Sequence, residues 1–236
     1  PGDVVSAHRD GLAVRRQRPQ PFLDRKKLTA WNALAGIALL QAYRCLGRDE
    51  ALQTALELRT ALVERHVTAT GRVLRGSLDG ALLNGTFLED HAALLLFLTY
   101  AHEEDRGCGD LIARLREGLD GFREAGQWIG SREADFLPVP AEPFDAPTPS
   151  EQALADLASA RASMIAGDLF PGLPFGIPGA QDFRNVAALQ TGGYACLVTA
   201  PSPIPRPDLP VHAVRIEGLH TQYCYKGRCT REKPEG

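Results

Sequence analysis

Residues 24–34 read DRKKLTAWNAL. Three cationic side chains, Arg25, Lys26 and Lys27, stand directly before a long apolar run that opens on a Trp-Asn pair. Beyond them Leu28, Trp31, Leu34, Ile37, Leu40 and Leu46 recur mostly in steps of three, with apolar fillers between. That period predicts a helix over 28–46 that is buried on most faces. Thr29 is its expected N-cap and Gly47 its expected stop. A helix entry needs only a cap and an apolar stripe, so Asp24, Lys26, Trp31 and Asn32 exceed what packing asks for. Trp offers a flat apolar face for stacking on a pyranose, and Asn can hydrogen-bond sugar hydroxyls. The structural alternative is a core Trp beside a capped helix entry.

The same reading extends outward. Residues 49–66 predict a second amphipathic helix, with Leu52, Ala55, Leu58, Leu62 and Val63 on its apolar side. Gly71, Gly76, Gly80 and Gly85 then punctuate a stretch too broken for helix, which reads as a small hairpin or extended loop. Further helices are expected over 87–104, 109–129, 150–166 and 180–199. A Pro-rich segment at 131–150 and a Gly/Pro-rich one at 167–179 separate them. Residues 1–23 read as an irregular connector. In the tail, VHAVRIEG at 211–218 alternates like one strand. Helix pairs joined by elaborated loops on alternate turns suggest a ring or solenoid of αα-hairpins. The expected units are a connector (1–23), an α/α-toroid portion (24–210) and a tail carrying one strand and C-x4-C (211–236).

The chain has 236 residues, 44% of them apolar and 23% charged, with a formal net charge of −3. This fits a globular domain and gives no electrostatic case for nucleic acid. No apolar run reaches the length that spans a bilayer. The first residue is Pro1 rather than Met, so the natural start is expected upstream. No signal peptide is seen, and a cytoplasmic, reduced setting is expected. Cys45, Cys108 and Cys196 read as small core residues, and Cys224 with Cys229 as a local cross-link or two thiols. A zinc site would want a second pair, and His66, His102, His212 and His220 lack metal-ligand spacing. No metal or cofactor is expected: phosphate-cradling glycine loops and the G-x-S-x-G elbow are absent from the sequence.

Five stretches, in order, resemble one family. DRKKLTAWNAL looks like the D-x-K-x-L-T-A-W-N-G-L segment of the spermatogenesis-associated protein 20 / YyaL family. GRVLRGSLDG (71–80), GTFLEDHAALL (85–95), FDAPTPSEQALA (144–155) and YCYKGRCTREKP (223–234) are similar to its later motifs. The resemblance implies a mostly α fold, part of an α/α toroid like those of six-hairpin glycosidases and N-acylglucosamine 2-epimerases, with short β-hairpin loops. This chain resembles the C-terminal portion of that toroid. Family members also carry an upstream thioredoxin-like domain, which becomes an expected partner. The chain departs from the pattern at Ala33, His91 and Glu151-Gln152, is shorter over 166–211, and holds no C-x-x-C.

The candidate residues follow. Glu89 and Asp90 open a helix after a glycine-rich loop, where a helix start favours acids by roughly 0.3–1 kcal/mol in any case. Their functional reading is acid/base work or sugar binding at a toroid mouth, with at most one of them facing a cavity. Arg75, Asp79 and Asp145 sit in the two elaborated loops; Arg75 and Asp145 would line a pocket there, while Asp79-Gly80 is a turn pair. His91 reads as structural. The leading expectation is a carbohydrate-handling domain that binds a sugar or glycan, with Glu89 and Asp90 as its catalytic candidates. Asp24, Lys26, Trp31, Asn32, Arg75 and Asp145 are its substrate contacts. The alternative is a non-catalytic helical module that accompanies a thioredoxin-like domain. Uncovered apolar helix faces in an incomplete ring would favour an oligomer.

Overall fold

A computed structural model describes residues 2–133, 137–168, 172–192, 196–200, 213–225 and 228–232. The first element is a helix, α1 (Gly2–Arg16), where an irregular connector was expected; its residues 6–16 are exposed. β1 (Lys27–Leu28) leads into α2 (Thr29–Leu46), which turns at Gly47 into α3 (Asp49–His66). Gly47 sits at φ +64, the left-handed geometry that glycine adopts without cost and that ends helices. The glycine-rich stretch is the expected hairpin, β2 (Gly76–Leu78) and β3 (Ala81–Leu83), turning on Asp79-Gly80. Gly76 is required by close packing: a Cβ there would collide with the carbonyl oxygen of Lys27 on β1.

α4 (Leu88–Asp105) follows, and every residue from Leu94 to Ala101 is buried. A helix apolar on all sides lies inside a bundle. α5 (Gly109–Asp120) is shorter than expected. Phe122 and Trp128 continue its apolar period and are both buried, yet they belong to a turn and a hairpin, β4 (Arg123–Glu124) and β5 (Gln127–Trp128). Ala125 and Gly126 both take positive φ there, which a helix cannot accommodate. α6 (Glu151–Ile165) is capped by Ser150, whose hydroxyl accepts the Ala153 N–H. α7 (Asp182–Thr191) stops early at Gly192. The remainder of the expected sixth helix includes a strand, β6 (Cys196–Ala200), consistent with its β-branched Val198 and Thr199.

The tail holds more than the one strand expected. β7 (Ala213–Glu217) pairs parallel with β6, and β8 (Gln222–Tyr225) and β9 (Arg228–Thr230) complete a sheet ordered β7-β6-β8-β9. Cys224 and Cys229 lie opposite each other on β8 and β9 and form a disulfide. Cys108 is buried as read, whereas Cys45 is exposed. His212 falls outside the described residues.

The helices form two layers. α2, α4 and α6 pack side by side; α3 packs against α2 and α4, and α5 against α4 and α6. Each outer helix thus fills the groove between two successive inner ones, which is the hairpin arrangement of an α/α toroid. The inner helices run parallel. The start of α2 meets the start of α4, where the Ala30 N–H donates to Asp90, and their ends meet through Arg44 and Glu103. α4 and α6 likewise meet near their ends through Thr99, Glu103 and Arg161. At the α2–α4 crossing Gly36 faces the Phe97 ring so closely that no side chain would fit. The fold is therefore mostly α, a partial toroid of helix hairpins whose connecting loops carry short β-hairpins.

Candidate functional site

Parallel inner helices bring their first turns to one rim. Arg75 sits at the centre of that rim, held by its own backbone: its N–H donates to the Gly85 carbonyl at 2.8 Å and its carbonyl accepts the Thr29 N–H at 3.0 Å. Its guanidinium passes over the Phe87 ring, 5.3 Å from the centroid. From there Nη1 donates to Glu89 at 2.7 Å and to Asp90 at 2.9 Å.

Asp90 is fully buried, and its second oxygen accepts the Ala30 N–H at 3.0 Å. The cap of α2 is therefore a carboxylate from another helix. Thr29, the expected cap, instead donates its hydroxyl to the Leu74 carbonyl at 2.6 Å. Burial holds the Asp90 carboxyl up at about 6, against the opposing pull of Arg75. Glu89 is less enclosed than Asp90.

α6 brings a third acid, Glu151, to the same cluster. Burial pushes its carboxyl up, and the charge of Glu89 adds to the effect. Sequence reasoning met this residue only as a departure from a family pattern. Its position in the first turn of an inner helix was the available signal.

Trp31 projects from the first turn of α2 and is 58% exposed, so it is not a core residue. Trp128, the other tryptophan, is buried, donates its indole N–H to Asp156 at 2.7 Å and is covered by Arg123. Asn32 spends one amide hydrogen on the Leu28 carbonyl at 2.7 Å. Asp24 and Lys26 pair with each other at 3.1 Å on an exposed turn ahead of β1, where neighbouring Arg25 pairs with Asp79. Asp145 is committed elsewhere. One of its oxygens accepts the Ser150 N–H at 2.9 Å and the other the Phe183 N–H at 2.8 Å, tying the starts of α6 and α7 together.

Behind the rim lies a buried chain that sequence reasoning missed. The Thr29 hydroxyl hydrogen goes to Leu74, so His66 Nδ1–H donates to the Thr29 oxygen at 3.0 Å. His66 Nε2 then accepts from Ser77 at 3.1 Å. Burial and neighbouring cations lower the His66 pKa and keep the ring neutral, as this chain requires. It fastens the end of α3 and strand β2 to the start of α2.

Clefts among the described residues lie elsewhere. One, of about 550 Å³, is lined by His102, Ile112, Arg116, Ala162, Ile165 and Ile216. Another, of about 740 Å³, lies beside His91 and Phe122. Neither is lined by Trp31, Asn32, Arg75 or Glu89. Among the described residues, no group of three or more His, Cys, Asp or Glu side chains is placed to hold a metal ion. Among the same residues, no helix is long and apolar enough to cross a membrane.

No family model and no curated protein matches the chain. Similar solved structures include two sugar-processing enzymes. A crystal structure of a D-mannose isomerase shares 17% identity at a TM-score of 0.47, covering 59% of this chain and 36% of that one. A sugar epimerase from a ruminal bacterium shares 20% identity at a TM-score of 0.44, covering 62% of this chain and 41% of that one. This chain thus spans less than half the length of either structure.

Proposed function

We propose that the rim at the starts of α2, α4 and α6 binds a sugar or glycan. The observation that carries the reading is the ionic cluster at the starts of the inner helices: Arg75 bonds Glu89 and Asp90 of α4, Glu151 of α6 feels the charge of Glu89, and exposed Trp31 follows the Ala30 amide of α2 that Asp90 holds. An aromatic face beside ionic groups is the usual make-up of a site for a polyhydroxylated ring, which has apolar faces and a hydroxyl-rich edge. In this proposal Trp31 stacks on the ring. Glu89, Glu151 and the remaining hydrogen-bonding capacity of Asn32 and Arg75 take its hydroxyls. Asp90 and Asp145 are positioning residues, because their oxygens already hold backbone amides. Asp24 and Lys26 edge the site from the turn before β1. The resemblance to the spermatogenesis-associated protein 20 / YyaL family, and through it to epimerase-like toroids, agrees with this reading, and no reaction is assigned.

The test uses the two tryptophans. Trp128 is enclosed, so a ligand-dependent change in emission or acrylamide quenching reports on Trp31. Titration with monosaccharides and short glycans is expected to give saturable protection in the native chain. Glu89→Gln should weaken binding about tenfold, the scale of one lost charge-assisted hydrogen bond, and Trp31→Phe, which removes the reporter, should abolish the ligand-dependent signal. Linear, non-saturating responses across the whole ligand set would remove the proposal.

A second reading, a helical module that docks on a thioredoxin-like partner, is favoured by Phe22 and Leu23, 93% and 73% exposed just before β1. Purified thioredoxin-like partner binding the native chain but not Phe22→Ser/Leu23→Ser, with no glycan bound, would select it.

A further inference from the structure

His91, the residue after Asp90 on α4, faces α5 and lines the cleft of about 740 Å³. Its volume lies within the range of small-molecule sites. His91, Thr86, Gly71 and Phe122 are buried in its floor. His91 Nε2 lies 2.7 Å from the Leu115 carbonyl. A carbonyl only accepts, so Nε2 carries the hydrogen and, in the neutral ring, Nδ1 keeps its lone pair. Burial disfavours the charged imidazole, and Arg132 opposes it further. The floor thus supplies an acceptor.

The rim of the cleft is cationic. Arg72 is occupied: it donates to the Thr86 hydroxyl, to the Asn84 carbonyl and to Glu133 at 2.8 Å. Arg114 and Arg132 differ from it. Among the described residues neither has a carboxylate within ion-pair distance, and the Arg132 guanidinium stands 5.6 Å from the centre of the Phe122 ring. Among the described residues Glu117 is the lining acid left to offset them, so the described lining keeps a positive excess. Guanidinium groups offer paired donors whose spacing matches two oxygens of a phosphate.

The geometry points to a phosphoryl-binding site in this cleft, taking inorganic phosphate or a phosphate monoester of a small polyol. Arg114 and Arg132 hold the anionic oxygens, and His91 Nδ1 accepts a hydrogen from P–OH or from a carrier hydroxyl. The site is separate from the rim and does not depend on what binds there.

Isothermal titration of the intact chain with sodium phosphate, glucose 6-phosphate and glucose tests it. Saturable one-to-one binding of phosphate or the ester is expected, weakened about tenfold in Arg114→Gln and in Arg132→Gln. Arg116→Gln removes the same charge outside this cleft and should bind within about twofold of the native chain. Tighter binding of glucose 6-phosphate than of phosphate, weakened in Arg114→Gln while any glucose binding is not, would identify the carried phosphoryl group, and equal binding of both anions would identify the free ion. A shift of the His91 ring nitrogens at saturation, read by NMR on histidine-labelled protein, gives an independent readout. No saturation up to about 10 mM, or equal weakening in Arg116→Gln, would overturn the proposal.

Discussion

Asp90 shows how one side chain acquires two duties. It is fully buried, takes an amide hydrogen from one helix and a guanidinium from a loop, and carries a carboxyl raised to about 6. Its unfolded value is near 3.8. The folded chain therefore binds a proton more tightly than the unfolded chain between these values. The stability it contributes is full below pH 4 and is lost as pH rises through 6. Glu151, also raised, acts in the same direction, while the lowered His66 and His91 act oppositely as pH approaches 6.5. Comparison with Asp90→Asn isolates the single group. Urea unfolding across pH 4–7 should show a component of the order of 3 kcal/mol in the native chain that the variant lacks. Identical pH profiles for the two proteins would contradict the assignment. Asp90 was readable from sequence as an acid at a helix start, but its target was not. A cap reaching across sixty positions leaves no local signature, whereas Thr29 looked locally ideal and bonds elsewhere.

Elements with long, strong apolar periods were legible. α2, α3, α4 and α6 lie within a residue of where periodicity puts them, because their buried faces alone decide their structure. α5 was overextended because buried Phe122 and Trp128 preserve its period beyond a turn. The four-stranded sheet was legible only at β7, since β6 finds its parallel partner well down the chain. What joins the far ends of the inner helices was also hidden. Glu103 on α4 is enclosed between Arg44 of α2 and Arg161 of α6, and Arg161 stacks 3.7 Å from the centre of the Tyr100 ring. Such a group is sensitive to losing one partner, because the remaining charge stays buried. Arg161→Met is expected to cost about 3–5 kcal/mol in chemical denaturation. Combined with Glu103→Gln, it should cost less than the two single changes added, by at least about 1 kcal/mol. Additive losses would mean that the two groups do not act together.

At the scale of the whole molecule, the three inner helices among the described residues make an arc rather than a closed ring. Leu46, Leu82, Phe144, Phe175 and Ile177 are among the large apolar side chains left exposed. Exposed apolar surface of this kind favours association. Light scattering coupled to size exclusion is expected to show self-association that increases with concentration over the micromolar range. A monomer at every concentration would mean that the arc is sufficient in itself. The rim was only partly visible from sequence for the same reason that the arc was. Trp31, Arg75 and Glu89 could be named one by one, but that they share an end follows from the direction in which the helices run.

That shared direction has an electrical consequence. The peptide dipoles of α2, α4 and α6 point the same way and leave about half a positive charge at each start, which the end of α3 beside the start of α2 offsets only in part. Glu89, Asp90 and Glu151 then act as counter-charges that relieve mutual repulsion between adjacent helix ends. Neutralising all three should loosen the lateral packing of the helices themselves, well beyond the hydrogen bonds lost.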